Sequence, residues 1–342
     1  MVWQLKTVRC FVFLGERRGY SRPGCYTSDM SGRRNDASAA SSADHRDGVG
    51  RFRSAEARGR FLEQLNAVLE SWPERTDLSI ETSFGTTAYS TISPSGPSAL
   101  GESSVTPLVL LQGGNSTIAG WSKLIGPWSR TRTVVAIDTV WEAGRSVQLA
   151  PMNDGELVAQ WLDEVIDALG LESLHLIGYS YGAWAALNQI LHAPDRLATV
   201  TAIDPPGAIT GIPLRAWARL IRLMRGGREE ALGFLAWVRN GELPPPPMRD
   251  LLLSSTLDFV KRGSPLPRRL RADDWAGITV PLEVIVAGSS QFVPRRALRT
   301  LRRHAPDIDV HVLDGIGHAV LSDAPEDTVS IVEEFISKFE EQ

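Results

Sequence analysis

Leu174-His175-Leu176-Ile177-Gly178-Tyr179-Ser180-Tyr181-Gly182 is the stretch that decides the fold. Its first four residues form a short apolar run suited to a buried strand, and Ala183 to His192 behind it reads as a helix. Between the two stands a serine with a glycine two residues to either side. A strand passes into a helix over so few residues only through a tight turn that lifts the serine Oγ above the sheet edge. Glycines at those two places remove the Cβ atoms that would collide there. The start of the following helix also favours negative charge developing beside the serine. The strand-turn-helix context is what separates this G-x-S-x-G from a chance match.

Outward from that turn, apolar runs alternate with helical stretches. Leu108-Val-Leu-Leu, Thr133-Val-Val-Ala-Ile, Leu174-His-Leu-Ile and Val200-Thr-Ala-Ile are separated by helix-like sequence, which predicts a parallel sheet with helices on both faces. One such helix is expected over Asp154 to Leu169, with an Asn153/Glu156 capping box, an inner face of Leu157, Trp161, Leu162, Val165 and Ile166, and a stop at Gly170. Upstream, Phe61, Leu62, Leu65, Val68, Leu69 and Trp72 recur at helical spacing before Pro73. Leu78, Ile80, Thr82 and Phe84 then alternate as a strand, Thr86 to Ser93 can return beside it, and the Ser/Pro/Gly run to Pro107 is a loop.

After the sixth strand the alternation breaks at Gly207. Residues 207–276 read as a helical lid inserted above the sheet, with the run Pro244 to Pro247 inside it, before the strand Leu282 to Ala287 resumes the pattern. A last strand over Ile308 to Leu313 and an amphipathic helix with Val329, Ile331, Val332, Phe335 and Ile336 complete the domain. The expected organisation is therefore a tail over 1–50, a core over 51–206, the lid over 207–276 and the rest of the core over 277–342.

Residues 1–50 are rich in Arg, Ser, Asp, Gly and Ala without apolar periodicity, the composition of a disordered extension, and Met30 is a second candidate start. Both cysteines, Cys10 and Cys25, lie there, so the body of the protein uses no disulfide and fits a reducing cytoplasm. The apolar run Phe11 to Leu14 is too short for a signal peptide, and no segment approaches the roughly 18 apolar residues of a membrane span. A chain of 342 residues with 43% hydrophobic and 22% charged content can enclose a deep pocket. Its net charge of -4 argues against a nucleic-acid partner and implies no partner class by itself; a small-molecule substrate is the ligand expected for such a pocket. Nothing in the sequence specifies an oligomer.

A serine hydroxyl is a weak nucleophile until a base takes its proton. His318 is the candidate, because Asp314-Gly-Ile-Gly-His318 follows the last strand and a glycine-rich loop can carry the imidazole over Ser180. His45 lies in the tail, His175 and His311 within strands, and His192 and His304 near helix ends, where packing or surface duty is the expected role.

Taken together, the serine turn, the order of serine before histidine and the Gly-x-Gly-His loop resemble the α/β-hydrolase superfamily, above all bacterial carboxylesterase-like and lactonase-like members with a helical cap. The resemblance covers about Thr76 to the C-terminus. It implies ester, lactone or thioester hydrolysis through Ser180 and His318, with no cofactor and no metal. It also implies an oxyanion hole made by the amide after the nucleophile, Tyr181, and by Gly114 in Leu111-Gln112-Gly113-Gly114-Asn115; glutamine stands at position 112, where such enzymes usually carry histidine. Asp138 with Gly144-Arg145-Ser146 resembles a structural turn in the same proteins.

The acid departs from the pattern. Relatives carry Gly-x-x-Asp after the strand that follows the lid, but here Gly288-Ser-Ser-Gln291 occupies that place, and an amide brings no charge to an imidazolium. Asp204, in Ala202-Ile203-Asp204-Pro205-Pro206, resembles the alternative site from which some superfamily members supply the acid; a turn-capping carboxylate is the other reading of it. Besides hydrolysis, two outcomes fit this residue set: a non-hydrolytic elimination, cyclisation or oxygenation with the same Ser-His pair, or a ligand-binding relic. Hydrolysis is favoured because nucleophile, base and oxyanion loop are all readable. A dinucleotide-binding unit is disfavoured by the lack of G-x-G-x-x-G, P-loop chemistry by the lack of its motif, and metal catalysis by the lack of H-E-x-x-H. Trp217, Phe234 and Trp237 in the lid are the expected contacts for a small to medium, largely apolar substrate.

Overall fold

The computed structural model describes residues 48–94, 96 and 105–340. All but the last three residues of the expected disordered extension, its two cysteines, Met30 and most of the loop before Pro107 lie outside them. The strands are β1 Arg51–Phe52, β2 Thr76–Thr82, β3 Gly85–Ile92, β4 Leu108–Leu111, β5 Val134–Ile137, β6 Val147–Gln148, β7 Leu174–Tyr179, β8 Leu197–Ile203, β9 Phe259–Val260, β10 Leu282–Ala287 and β11 Asp309–Leu313.

Among the described residues, one nine-stranded sheet runs β11-β10-β8-β7-β4-β5-β3-β2, with β6 paired to β3. The pairs β10/β11, β10/β8, β7/β8, β4/β7 and β4/β5 are parallel, whereas β2 and β3 form an antiparallel hairpin. The mostly parallel sheet expected from the alternating pattern is borne out. Its central strands are apolar on both sides because both sides are covered. Leu108 and Leu110 of β4, with Val134 and Ala136 of β5, pack on α1 (Ala55–Leu69), α2 (Ser122–Trp128) and α11 (Pro325–Glu340). Val109, Leu111, Val135 and Ile137, one residue out of phase, pack on α3 (Gly155–Ala168), α4 (Tyr181–His192) and α9 (Arg296–His304).

The local signals mostly landed where expected, with one exchange. Helix α3 is capped by Asp154, whose carboxylate accepts the Leu157 N–H at 2.9 Å, and not by Asn153. Aspartate caps as well as asparagine does, so adjacent Asn and Asp leave the register to packing, which buries Val158 and Trp161 and leaves Leu157 half-exposed.

Between β8 and β10 lie α5 (Leu214–Arg225), α6 (Arg228–Val238) and α7 (Pro246–Asp258), with a small core of their own made by Leu223, Ala231, Leu235 and Leu253. The segment 207–276, read as a helical lid, holds more than these helices. Its later part carries β9, which pairs antiparallel with β1, and the short helix α8 (Ala272–Ala276). Leu270 and Trp275 pack into the main core and not into the inserted helices. A two-residue strand has no periodicity to read, and its partner lies some two hundred positions earlier.

Parallel strands bring their carboxyl ends to one edge of the sheet, where open α/β sheets collect their binding loops. At that edge lie the turn Gln112–Asn115 after β4, Ser180 after β7, Asp204 after β8, Gln291 after β10 and His318 after β11.

Candidate active site

Ser180 sits at the apex between β7 and α4 with φ 54° and ψ -117°, a left-handed backbone that costs a non-glycine residue energy and persists only where its surroundings hold it. Ser180 N–H donates to Ile203 O at 2.9 Å, and Ser180 O accepts from Trp184 N–H, which opens the helix. The flanking glycines are required by approach distances. A Cβ on Gly178 would come within 2.2 Å of Gly182 O, and one on Gly182 within 2.2 Å of Leu111 O.

Ser180 Oγ lies 2.8 Å from His318 Nε2, and His318 Nδ1 lies 2.6 Å from Asp204 Oδ2. All three side chains are withdrawn from solvent, with 8%, 6% and 0% exposure respectively, so the contacts are little screened by water. An ionised carboxylate can only accept, which assigns a proton to Nδ1 and leaves Nε2 free to take the serine proton. Asp204 is itself held on both oxygens: Oδ1 accepts from Ala287 N–H at 3.1 Å and Oδ2 from Ser290 Oγ at 2.6 Å. Its backbone, φ 46°, is left-handed too.

Gln291, at the place where the family acid was sought, does not reach the imidazole. Its Oε1 accepts the backbone N–H of His318 at 2.9 Å, and its Nε2 donates to Asn240 Oδ1 at 2.9 Å. The histidine loop is fixed from below as well. Tyr179 donates its hydroxyl to His318 O at 2.8 Å and stacks on the ring at 5.4 Å, while Phe292 packs edge-on to it at 4.6 Å. Tyr179, Phe292 and the backbone role of Gln291 were not singled out in the sequence. Tyr179 is the variable residue of G-x-S-x-G, and Phe292 adjoins the vacant acid position; those addresses are the only signal they carry.

Of the lid residues, Phe234 and Trp237 on α6 join this cluster: they lie 5.9 Å apart and reach Phe292 at 6.3 and 5.5 Å. Trp217, on α5, is half-buried and takes no part in that run of rings among the described residues. Gly113 and Gly114 border Ser180 and Tyr181. A Cβ on Gly113 would lie 3.1 Å from Ser180 Cβ, and one on Gly114 3.6 Å from Tyr181 Cβ. Tyr181 begins α4, where first-turn amides have no intrahelical acceptor and can meet an anion.

The remaining histidines within the described residues have other partners or positions. His175 is buried between Thr199 Oγ1 and Glu340, and burial lowers its pKa. His311 faces Glu283 at 3.3 Å, and His192 and His304 end α4 and α9. Asp138 is buried against Arg145, whose Nε donates to it at 2.6 Å, a link within the fold in which Ser180, His318 and Asp204 take no part.

Residues 108–331 match the Alpha/beta hydrolase family over well over half of the chain. The chain belongs to the alpha/beta hydrolase family. Among curated relatives of this alpha/beta hydrolase, Carboxylesterase YbfK of Bacillus subtilis (strain 168) is 25% identical over 285 residues, which cover 80% of this chain and 93% of that one. The Uncharacterized carboxylesterase nap of the same organism is 25% identical over 276 residues, 78% of this chain and 88% of that one. The crystal structure of naproxen esterase (carboxylesterase NP) from Bacillus subtilis superposes with a TM-score of 0.75 at 22% identity, covering 82% of this chain and 99% of that chain. Chemically, a serine, an imidazole and a carboxylate in this order within an alpha/beta hydrolase can carry out acyl transfer through a covalent ester.

Proposed function

We propose that this alpha/beta hydrolase is a serine carboxylesterase that cleaves a carboxylic ester, lactone or thioester of a small to medium, largely apolar substrate. The observation that carries the reading is the continuous contact from Ser180 Oγ through both nitrogens of His318 to the buried Asp204 carboxylate. The curated carboxylesterase relatives, matched over most of their length, support the reaction class.

On this reading Ser180 Oγ attacks the carbonyl carbon while Nε2 of His318 takes its proton. The charge placed on the carbonyl oxygen is received by the Tyr181 and Gly114 amides. His318 returns the proton to the departing alkoxide or thiolate, then deprotonates a water that opens the acyl-serine and frees the acid product. Asp204 keeps the proton of the imidazole on Nδ1 and stabilises the imidazolium. Helices α5 to α7 act as a lid, with Phe234 and Trp237 as the apolar wall nearest His318 and Trp217 further out. No cofactor enters these steps. Because the cysteines lie upstream of the hydrolase unit, the proposed setting is the cytoplasm, and the net charge of -4 disfavours nucleic acid as a partner. Among the described residues no helix is long and apolar enough to cross a membrane.

Ser180→Ala tests the reading. Removal of a covalent nucleophile should lower kcat on the order of 10^6 with the fold retained, and labelling by a fluorophosphonate should vanish with it. A variant that keeps near-native turnover would sink the mechanism.

A further inference from the structure

Two side chains of opposite charge that no step above uses meet beside the loop Gln112–Asn115. Glu142 lies in the turn after β5 and is 2% exposed. Its Oε2 accepts the backbone N–H of Asn115 at 3.0 Å, and its Oε1 is bonded to Lys261 Nζ. Asn115 needs such an anchor, since its φ of 53° is left-handed. Lys261 directly follows β9, and its ammonium stands 4.4 Å from the ring centroid of Tyr181, the residue after the nucleophile. A Cβ on Gly114 would lie 3.5 Å from Glu142 Oε1 and 3.6 Å from Lys261 Nζ. One ion pair therefore touches the backbone beside Gly114, through the Asn115 N–H, and the side chain of Tyr181, the two residues whose amides would receive the oxyanion.

A buried ion pair adds little to stability compared with apolar packing of the same volume, whereas losing one partner leaves the other charge stranded. What such a pair supplies is position. An oxyanion-hole donor acts only if it is aimed at the place the charge will occupy, and a displacement of about 1 Å can cost on the order of 10^2 in rate. We propose that Glu142 and Lys261 are positioning residues of the oxyanion hole, holding Asn115 so that the Gly114 amide faces the same point as the Tyr181 amide. The proposal rests on the serine-esterase reading and names how that site is held. It also connects the later part of the inserted segment, through Lys261, to transition-state stabilisation.

The arrangement has a pH signature. Burial raises the pKa of Glu142, and Lys261 opposes that rise. Among the described residues the Tyr181 phenol also acts on this carboxylate; burial pushes its own pKa up, so it stays neutral in the assay range. Removing the ammonium lets Glu142 take a proton at higher pH, and a protonated oxygen turned to Asn115 no longer accepts its N–H.

The experiment compares the purified full chain with Lys261→Met, Lys261→Arg and Glu142→Gln. It measures kcat and KM for a p-nitrophenyl ester from pH 5 to 9, and the affinity of a trifluoromethyl ketone, which forms a tetrahedral adduct on the serine. Lys261→Met should lower kcat at pH 7 by about tenfold to a hundredfold with KM within about twofold, and weaken the ketone in parallel. Its acid limb should move to higher pH, and Lys261→Arg should restore both. Lys261 is 30% exposed, so Glu142→Gln leaves its charge access to water. That variant is the measure should Lys261→Met fail to fold, and it should show the same losses of kcat and ketone affinity with no movement of the acid limb. Unchanged kcat and ketone affinity in these variants, even with a lower Tm, would overturn the proposal. A wild-type protein that no fluorophosphonate labels at Ser180 would overturn the reading beneath it, and that result does not depend on Glu142 or Lys261.

Discussion

Asp204→Asn is the perturbation that most directly separates an orienting acid from a turn-capping carboxylate. The substitution keeps volume and shape, and asparagine tolerates the left-handed backbone at this position at least as well as aspartate. The neighbours fix which way the amide must point. Ala287 N–H aims at Oδ1, so an oxygen has to remain there, and the NH2 group is forced to the Oδ2 side, facing His318 Nδ1 and Ser290 Oγ. Ser290 Oγ already accepts the Phe292 and Val293 N–H groups at 3.1 and 2.9 Å, so its lone pairs are taken and the new amide has only Nδ1 to turn to. His318 Nδ1 can accept it only after giving up its own proton, which moves to Nε2 and points at Ser180 Oγ. The imidazole is then a donor toward the nucleophile and cannot act as its base. A wrong-tautomer histidine of this kind costs on the order of 10^4 in kcat, about 5 kcal/mol of barrier. The assay is ester turnover beside a thermal melt, in which Tm should fall by only a few degrees, because the one bond lost outright is that of the buried Ser290 hydroxyl to Oδ2. A nearly neutral Asp204→Asn would refute the argument, and a sharp gain from Gln291→Asp in the same protein would move the acid back to the end of β10.

Three further outcomes follow from contacts already described. Gln291→Ala strands the buried His318 N–H and loosens the loop without touching the imidazole, so kcat should fall about tenfold, far less than for Asp204→Asn; an equal loss would make Gln291 part of the proton path. Trp237→Ala removes a half-buried ring from the cluster that reaches His318 and should change the ratio of long-chain to short-chain ester rates by about tenfold, whereas a lower Tm with an unchanged ratio would leave that ring a packing role alone. Glu283, inside the sheet at β10, has its pKa pushed up to about 8, burial being the first cause, above the ordinary value of 4.5 that the unfolded chain keeps. The folded protein therefore binds the extra proton, and this group's contribution, complete below about pH 4.5, is lost as pH rises toward 8. The Tm of Glu283→Gln should lack that decline, and parallel Tm-against-pH curves would count against the assignment.

Much of the fold was legible because its signals are local and redundant. The serine turn sits between an apolar run and a helix with only a few residues to spare, and steric exclusion at Gly178 and Gly182 leaves little else it could form. Asp204 was readable as the end of the strand next after the nucleophile, and parallel strands bring such ends together. The elements that stayed hidden depend on partners distant in the chain. The β1/β9 pair is two residues long on each side, Glu142 meets Lys261 across 119 positions, and Phe292 joins His318 only through tertiary packing. The substitution of glutamine for an acid at position 291 showed that something had changed there, but its bonds to His318 N and Asn240 arise from loop geometry that composition does not encode.

The distribution of the three reacting groups along the chain also bears on synthesis. Ser180 and Asp204 belong to one β7-α4-β8 unit, a contiguous stretch of local contacts that can form early on a growing polypeptide. Their common partner arrives 138 positions after the serine and 114 after the aspartate, on a loop that is anchored only once β10 and β11 have joined the sheet. A nascent chain thus displays a serine with no base to activate it, and turnover begins only when the domain has closed. Hydrolysis of a chromogenic ester during cell-free translation should accordingly lag behind the appearance of full-length protein and never precede it.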